Sequence, residues 1–217
     1  MTNANDLKDR IRRADSWIRA AERLPSPDVH EVFVFYCIAL NAMNGRRQDE
    51  RSPIEGGEDL ERFLMRIKDL SDIDVEGGGK LLAERLKRGW RHVDALLLDY
   101  FLLDDLFRGG ALRTTLRGRV KSDAQEAELR FVAGDYIPIL RLLFRRLTKL
   151  RNRIMHGSVT HGPTSNGRLS IEKGVRVFKV VMPAFRQLMD DYGHRVPWDP
   201  IPFPRVELDP DERLDPD

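Results

Sequence analysis

The stretch from Arg141 to Arg153 carries Arg141, Arg145, Arg146, Lys149, Arg151 and Arg153, and no acid. Six cations on fewer than four helical turns find no carboxylate on their own segment. Their field points outward and invites a polyanion such as RNA. The competing reading is neutralisation by acids of neighbouring segments, such as Asp99 and Asp104. The stretch runs on through Leu150-Arg151-Asn152-Arg153-Ile154-Met155-His156-Gly157. At about 100° per residue, Thr148, Asn152 and His156 stack along one helix face, and Arg151 sits one step round from Asn152. Leu147, Leu150 and Ile154 hold the opposite side in a core. An imidazole, an amide and a guanidinium therefore converge at a helix end, beside a glycine that leaves room for a ligand or another chain.

These are the groups that cleavage of an RNA strand by its own 2′-hydroxyl requires. A histidine takes or gives a proton near neutral pH. An arginine fork holds a phosphate and the charge that grows on it. An amide orients the imidazole or the scissile phosphate. Arg151, Asn152 and His156 are the expected catalytic set; Arg141, Arg145, Arg146, Lys149 and Arg153 are the expected RNA-binding cations. Thr148 and Ser158 support the set from its flanks. The scheme requires no metal ion or cofactor, and none is expected. Asn41 and Asn44 interrupt an otherwise apolar run, and a buried amide needs partners. Asn41 either reaches Arg151 or His156 as a support, or caps a local backbone group or faces water.

Other patterns carry less. Gly77-Gly78-Gly79-Lys80 lacks the earlier glycine and the following hydroxyl of a phosphate loop: Asp74 and Leu81 stand there. It reads as a turn before a helix. Asp94, Asp99, Asp104 and Asp105 lack a two-metal spacing and read as a solvated helix face. His30, His92 and His194 have no partner within helical reach. His156 and His161 flank a loop without a third zinc ligand nearby.

The elements that position these residues read as helices almost throughout. Residues 6–24 put Leu7, Ile11, Ala14, Ile18, Ala21 and Leu24 on one stripe, broken by Pro25 and Pro27. Asp28 opens Val29–Asn44, apolar nearly all round and closed by Gly45, as expected of a helix at the centre of a bundle. Its 32–36 run also favours a buried strand locally; length and Gly45 favour helix. Residues 46–57 read as a polar loop, 58–70 and 80–88 as shorter helices, and 89–108 as a longer one stopped by Gly109–Gly110. Residues 111–133 are ambiguous. Residues 135–155 carry Leu140, Leu143, Leu147, Leu150 and Ile154 at helical spacing. Residues 168–193 form a helix that Pro183 is expected to kink or split. Strand alternation is nearly absent, so the expected fold is an all-α, multi-helix up-down bundle over 1–195.

The chain has 217 residues, 37 Lys+Arg against 35 Asp+Glu, and a single cysteine, Cys37. That length buries a core without disulfide or metal. One thiol makes neither an internal bridge nor a cysteine zinc cage, and no apolar run is long enough for a membrane span. A cytoplasmic protein is expected. The net charge of +2 hides an asymmetry. Residues 196–217 hold seven acids, two bases and six of the twelve prolines, a net −5, so 1–195 carries +7. The basic body suits an anionic partner. The acidic, Pro-rich tail is expected to be extended and irregular. Trp198 and Phe203 are candidates to anchor it on the bundle, where it would compete with RNA.

The sequence Arg151-Asn152-Arg153-Ile154-Met155-His156, followed by Gly157, resembles the signature of the HEPN domain family (higher eukaryotes and prokaryotes nucleotide-binding): Arg, a polar residue, a short spacer and His. Residues 33–45, FVFYCIALNAMNG, resemble the early buried helix of Apea-like and abortive-infection-type whole-domain members. In outline the likeness covers 6–193. It implies a helical bundle that dimerises with its two motifs facing each other. It also implies metal-independent endoribonuclease activity, as a toxin, a phage-defence effector or an RNA-processing factor. Members that pair with a nucleotidyltransferase antitoxin carry Tyr two residues after the His. Ser158 stands there, which argues against that pairing. The expected partners are RNA, a second copy of the chain, and an antitoxin or regulatory protein, with no membrane. The alternatives are a non-catalytic RNA-binding or scaffold protein of this type, or a partner-binding antitoxin-like subunit.

Overall fold

The computed structural model describes residues 4–24, 28–45, 58–103, 113–159 and 167–201. Within these the chain is all-α, with seven α-helices and no strand: α1 (Ala4–Arg23), α2 (Val29–Asn44), α3 (Glu58–Ile73), α4 (Lys80–Leu97), α5 (Arg113–Val132), α6 (Tyr136–Met155) and α7 (Arg168–Tyr192). The β-branched run of α2 yields to its capped helical frame. The Asp28 carboxylate accepts from the His30 N–H at 2.7 Å, and the Gly45 N–H donates to the Asn41 carbonyl.

α7 rather than α2 is the central helix. It packs against α1, α2, α3, α4 and α6 and buries twelve residues. Phe178 lies 5.5 Å from Phe33 and 5.6 Å from Tyr36, centroid to centroid, and Phe185 meets Phe63 and Phe144 at 5.5 and 5.7 Å. Each fully buried ring contributes about 1.5–3 kcal/mol of burial free energy, so this aromatic column fixes where α2 and α6 stand. Pro183 neither ends nor splits α7. The carbonyl it deprives of a donor belongs to Lys179, which is exposed and open to water.

Gly89 does not begin a new helix either; α4 runs straight through it. A Cβ there would stand 2.3 Å from Val180 of α7, so the glycine serves the close approach of two helices rather than a break. α4 ends at Leu97, and a short 3-10 turn, Tyr100–Leu102, follows. Residues 46–57 and 104–112, with Asp104, Asp105 and Gly109–Gly110, lie outside the described residues.

The body does not stop at residue 195. Trp198 and Ile201 are buried, and the Trp198 Nε1–H donates to the Gly193 carbonyl at 2.8 Å. The Arg10 and Arg66 guanidinium carbons lie 5.7 and 5.5 Å from the Trp198 ring centroid. Arg66 donates to the Asp199 carboxylate at 2.9 Å and Arg10 to its carbonyl at 2.6 Å. Residues 196–201, the start of the segment expected to be an extended tail, thus pack over α1 and α3. Residues 202–217, with Phe203, lie outside the described residues. No described helix is long and apolar enough to cross a membrane.

Candidate functional site

α6 presents the expected catalytic set, and its phase on the core decides which cations remain outside. Leu143, Arg146, Leu150 and Arg153 follow one another at helical spacing on the side turned to the rest of the fold. Arg146 is 3% exposed. It donates to the Asp99 carbonyl at 3.0 Å and to the Asp123 carboxylate at 2.8 Å. Burial lowers its pKa, with Asp123 and Asp99 opposing. The expectation that Arg146 binds RNA is therefore corrected: it is an internal strut with its charge met by α5. Arg153 donates to the carbonyls of Phe101 and Leu103. Arg141 forks onto Glu61 of α3, at 2.8 and 2.9 Å from Nε to the two oxygens, and this hydrogen bonding raises its pKa. Neighbouring acids thus neutralise part of the basic stretch: Glu61 pairs with Arg141, and Asp123 pairs with Arg146, to which the Asp99 charge adds.

Asp99 is 3% exposed and joins four segments. Its carboxylate accepts from the Phe101 N–H, the Ser170 hydroxyl (2.8 Å) and the Lys173 ammonium (2.9 Å) of α7, while its carbonyl takes Arg146. It was expected on a solvated helix face. Its position at the end of α4, where the backbone turns, makes it the junction of α4, α6 and α7.

The other phase of α6 is open. Arg145, Thr148, Arg151, Asn152, Met155 and His156 form an exposed stripe over its last turns, and Met155, 62% exposed, is the last residue of the helix. Arg151 donates to the Asn152 amide oxygen at 3.2 Å. Lys149 is half-buried on its flank. The helix ends on a glycine cap: Gly157 has φ +67°, the Ser158 N–H donates to the Arg153 carbonyl at 2.8 Å, and the Gly157 N–H to Ile154 at 3.1 Å. His156 is the last residue before that left-handed turn, exposed at the very end of the helix. Ser158 is exposed just beyond. His161 lies outside the described residues.

Arg151 also rims a cavity of about 90 Å³ between α2 and α6, together with Asn41, Asn44 and Thr148 over a floor that includes Cys37, Phe144, Leu147 and Phe178. Of the two readings of Asn41, the structure shows an exposed side chain sharing this rim with Arg151 and no hydrogen bond between the two among the described residues. Burial pushes the Cys37 thiol up to about 12, with the Arg151 charge opposing. His156 does not line the cavity.

The glycine run is occupied by its own neighbours. Residues Val75–Gly79 form one π turn. The N–H groups of Gly77, Gly78 and Gly79 donate to the Asp74 carboxylate or carbonyl, and the Tyr192 hydroxyl donates to the Asp74 carboxylate at 3.0 Å. No amide of the run is left for a phosphate. His30, expected to lack a local partner, is buried with Nδ1 2.7 Å from the Asp28 carboxylate.

Set against known proteins, the chain matches no family model, no curated protein and no solved structure.

Proposed function

We propose that the protein is a metal-independent endoribonuclease of HEPN type, cutting RNA by 2′-hydroxyl attack at a site shared between two copies of the chain. The observation that carries this reading is the open stripe of α6: a guanidinium, an amide hydrogen-bonded to it and an imidazole, exposed together at a rigidly anchored helix end. In this scheme Arg151 steadies the scissile phosphate and the charge on its oxygens in the transition state. Asn152 holds the Arg151 fork in place. His156 moves the proton. Attack needs a base on one side of the phosphorus and an acid on the other, and one chain supplies one such imidazole. A two-fold pair with facing stripes supplies both, and the exposed Met155 beside His156 gives the contact an apolar element. The biological setting that fits is a toxin, a phage-defence effector or an RNA-processing factor.

The alternative is a non-catalytic RNA-binding or scaffold protein. One observation favours it: among the described residues no hydrogen bond orients the His156 ring within one chain.

Incubating pure protein with total RNA tests the reading. His156→Ala and Arg151→Ala should each slow cleavage on the order of a hundredfold or more, and Asn152→Ala should slow it less. Cleavage that survives His156→Ala unchanged, or an active enzyme that is strictly monomeric by light scattering, contradicts the shared site.

A further inference from the structure

We infer that the cavity between α2 and α6 is a base-selective subsite that takes a single pyrimidine ring of the RNA strand next to the phosphate held by Arg151. The inference rests on the ribonuclease reading above and adds to it what the strand must present.

Three properties of the cavity support this. Its apolar lining includes Leu40 and Leu60 over the buried Phe144 and Leu147, which suits the face or edge of a flat apolar ring. Its rim is made of uncharged hydrogen-bonding groups, Asn41, Asn44 and Thr148, with one cation, Arg151. Asn41 and Asn44 are three residues apart near the end of α2, so their amides share a face. Each amide carries both donors and an acceptor, as the edge of a base requires. Apolar floor, amide rim and neighbouring guanidinium match, in that order, the ring, the edge and the phosphate of one nucleotide. A simple anion site would show converging cations over a polar floor; this one has a single guanidinium over an apolar floor.

Size narrows the ligand. A volume of about 90 Å³ takes several waters, each needing at least ~10–15 Å³ of such space. A single ring fills it most fully, and a two-ring purine enters it less completely. Because Arg151 also belongs to the exposed stripe of α6, the nucleotide in the cavity is continuous with the strand lying along that stripe. Asn41 and Asn44 are then specificity residues, which offers a reason for two amides in an otherwise apolar helix.

The test uses short RNAs identical except for U, C, A or G at one position, with two readouts. Cut-site mapping with the native protein should show cleavage beside a pyrimidine favoured over a purine on the order of tenfold. Fluorescence anisotropy with the His156→Ala protein, which leaves the strand intact, should show the same order of preference between uridine and adenosine hexamers. Asn41→Ala and Asn44→Ala should weaken both preferences, because the rim amides read the edge of the base while the size of the cavity is unchanged. Alanine suits a helix, and because Asn41 is exposed, Asn41→Ala carries the test alone if Asn44→Ala fails to fold by circular dichroism. Cleavage that is indifferent to the base, or a preference unchanged in the Asn41→Ala protein, overturns the subsite and leaves the ribonuclease reading standing. If no RNA is cut, the ribonuclease reading fails, and the binding arm alone decides whether the cavity takes a base. Uridine monophosphate competing as well as the hexamer would make it a mononucleotide site and overturn its role on the strand.

Discussion

Arg146 and Arg151 are five residues apart on one helix and do opposite work. Arg146 falls in phase with Leu143 and Leu150 and is spent on Asp123 and the Asp99 carbonyl. Arg151 falls on the open side and shares its guanidinium with Asn152. The same distinction separates Arg153, engaged by backbone carbonyls, from exposed Arg145. Cys37 lies behind Arg151, half-buried in the floor of the cavity. Burial raises its thiol from the usual value near 9 to about 12. The neutral thiol is therefore favoured by the fold: its contribution to stability is complete below about pH 9 and is lost as pH rises towards 12. A chromogenic disulfide reagent at pH 8 should react with Cys37 far more slowly in the native protein than in urea. Equal rates would mean that the floor is open to solvent.

At the scale of elements, the end of α6 is held from behind by Arg146, by Arg153 and by the glycine cap, and its front is left open. Breaking the strut should unfold more than it disarms. Arg146→Ala leaves the Asp123 carboxylate and the Asp99 carbonyl without their cation, and should cost about 3–5 kcal/mol. Arg145→Ala, on the open stripe, should stay within about 0.5 kcal/mol. Urea unfolding of the two variants measures both; equal midpoints would contradict the assignment of Arg146 to the interior. The helices themselves were legible from periodicity and caps, because burying an apolar stripe is what defines them. Phase was legible too: Arg146 lies three residues after Leu143 and four before Leu150, and Arg10 lies three after Leu7 and four before Ala14. A basic run on a helix therefore divides by spacing into buried and exposed cations, and Arg10 is 1% exposed. What could not be read from the sequence was long-range. Gly89 spares a clash with Val180, and Asp99 meets Ser170 and Lys173 more than seventy residues away. Neither partner leaves a local trace.

At the scale of the whole molecule, the charge asymmetry and the packing divide the C-terminal segment in two. Residues 196–201 belong to the body through Trp198 and Asp199. Residues 202–217 hold six acids and two bases, a net −4. Removing the segment from 196 onward would strip Trp198 from the core, so restraint of RNA binding by the acidic end is tested by deleting 202–217 alone. The truncated protein should bind RNA more tightly than the full chain at low salt. The difference should shrink as salt screens exposed charges beyond about 10 Å at 0.1 M. The comparison is made at each salt concentration, because salt weakens RNA contacts as well. Identical affinities throughout would remove any restraining role from these residues.

The proposed cleavage uses Arg151, Asn152 and His156 to cut RNA through its own 2′-hydroxyl. The most direct measurement is the chemistry of the fragment ends formed by the pure protein in excess EDTA. The fragments should end in a 2′,3′-cyclic phosphate and begin with a 5′-hydroxyl, at a rate unchanged by the chelator. Activity abolished by EDTA and restored by Mg²⁺ or Mn²⁺, or fragments beginning with a 5′-phosphate, would contradict it.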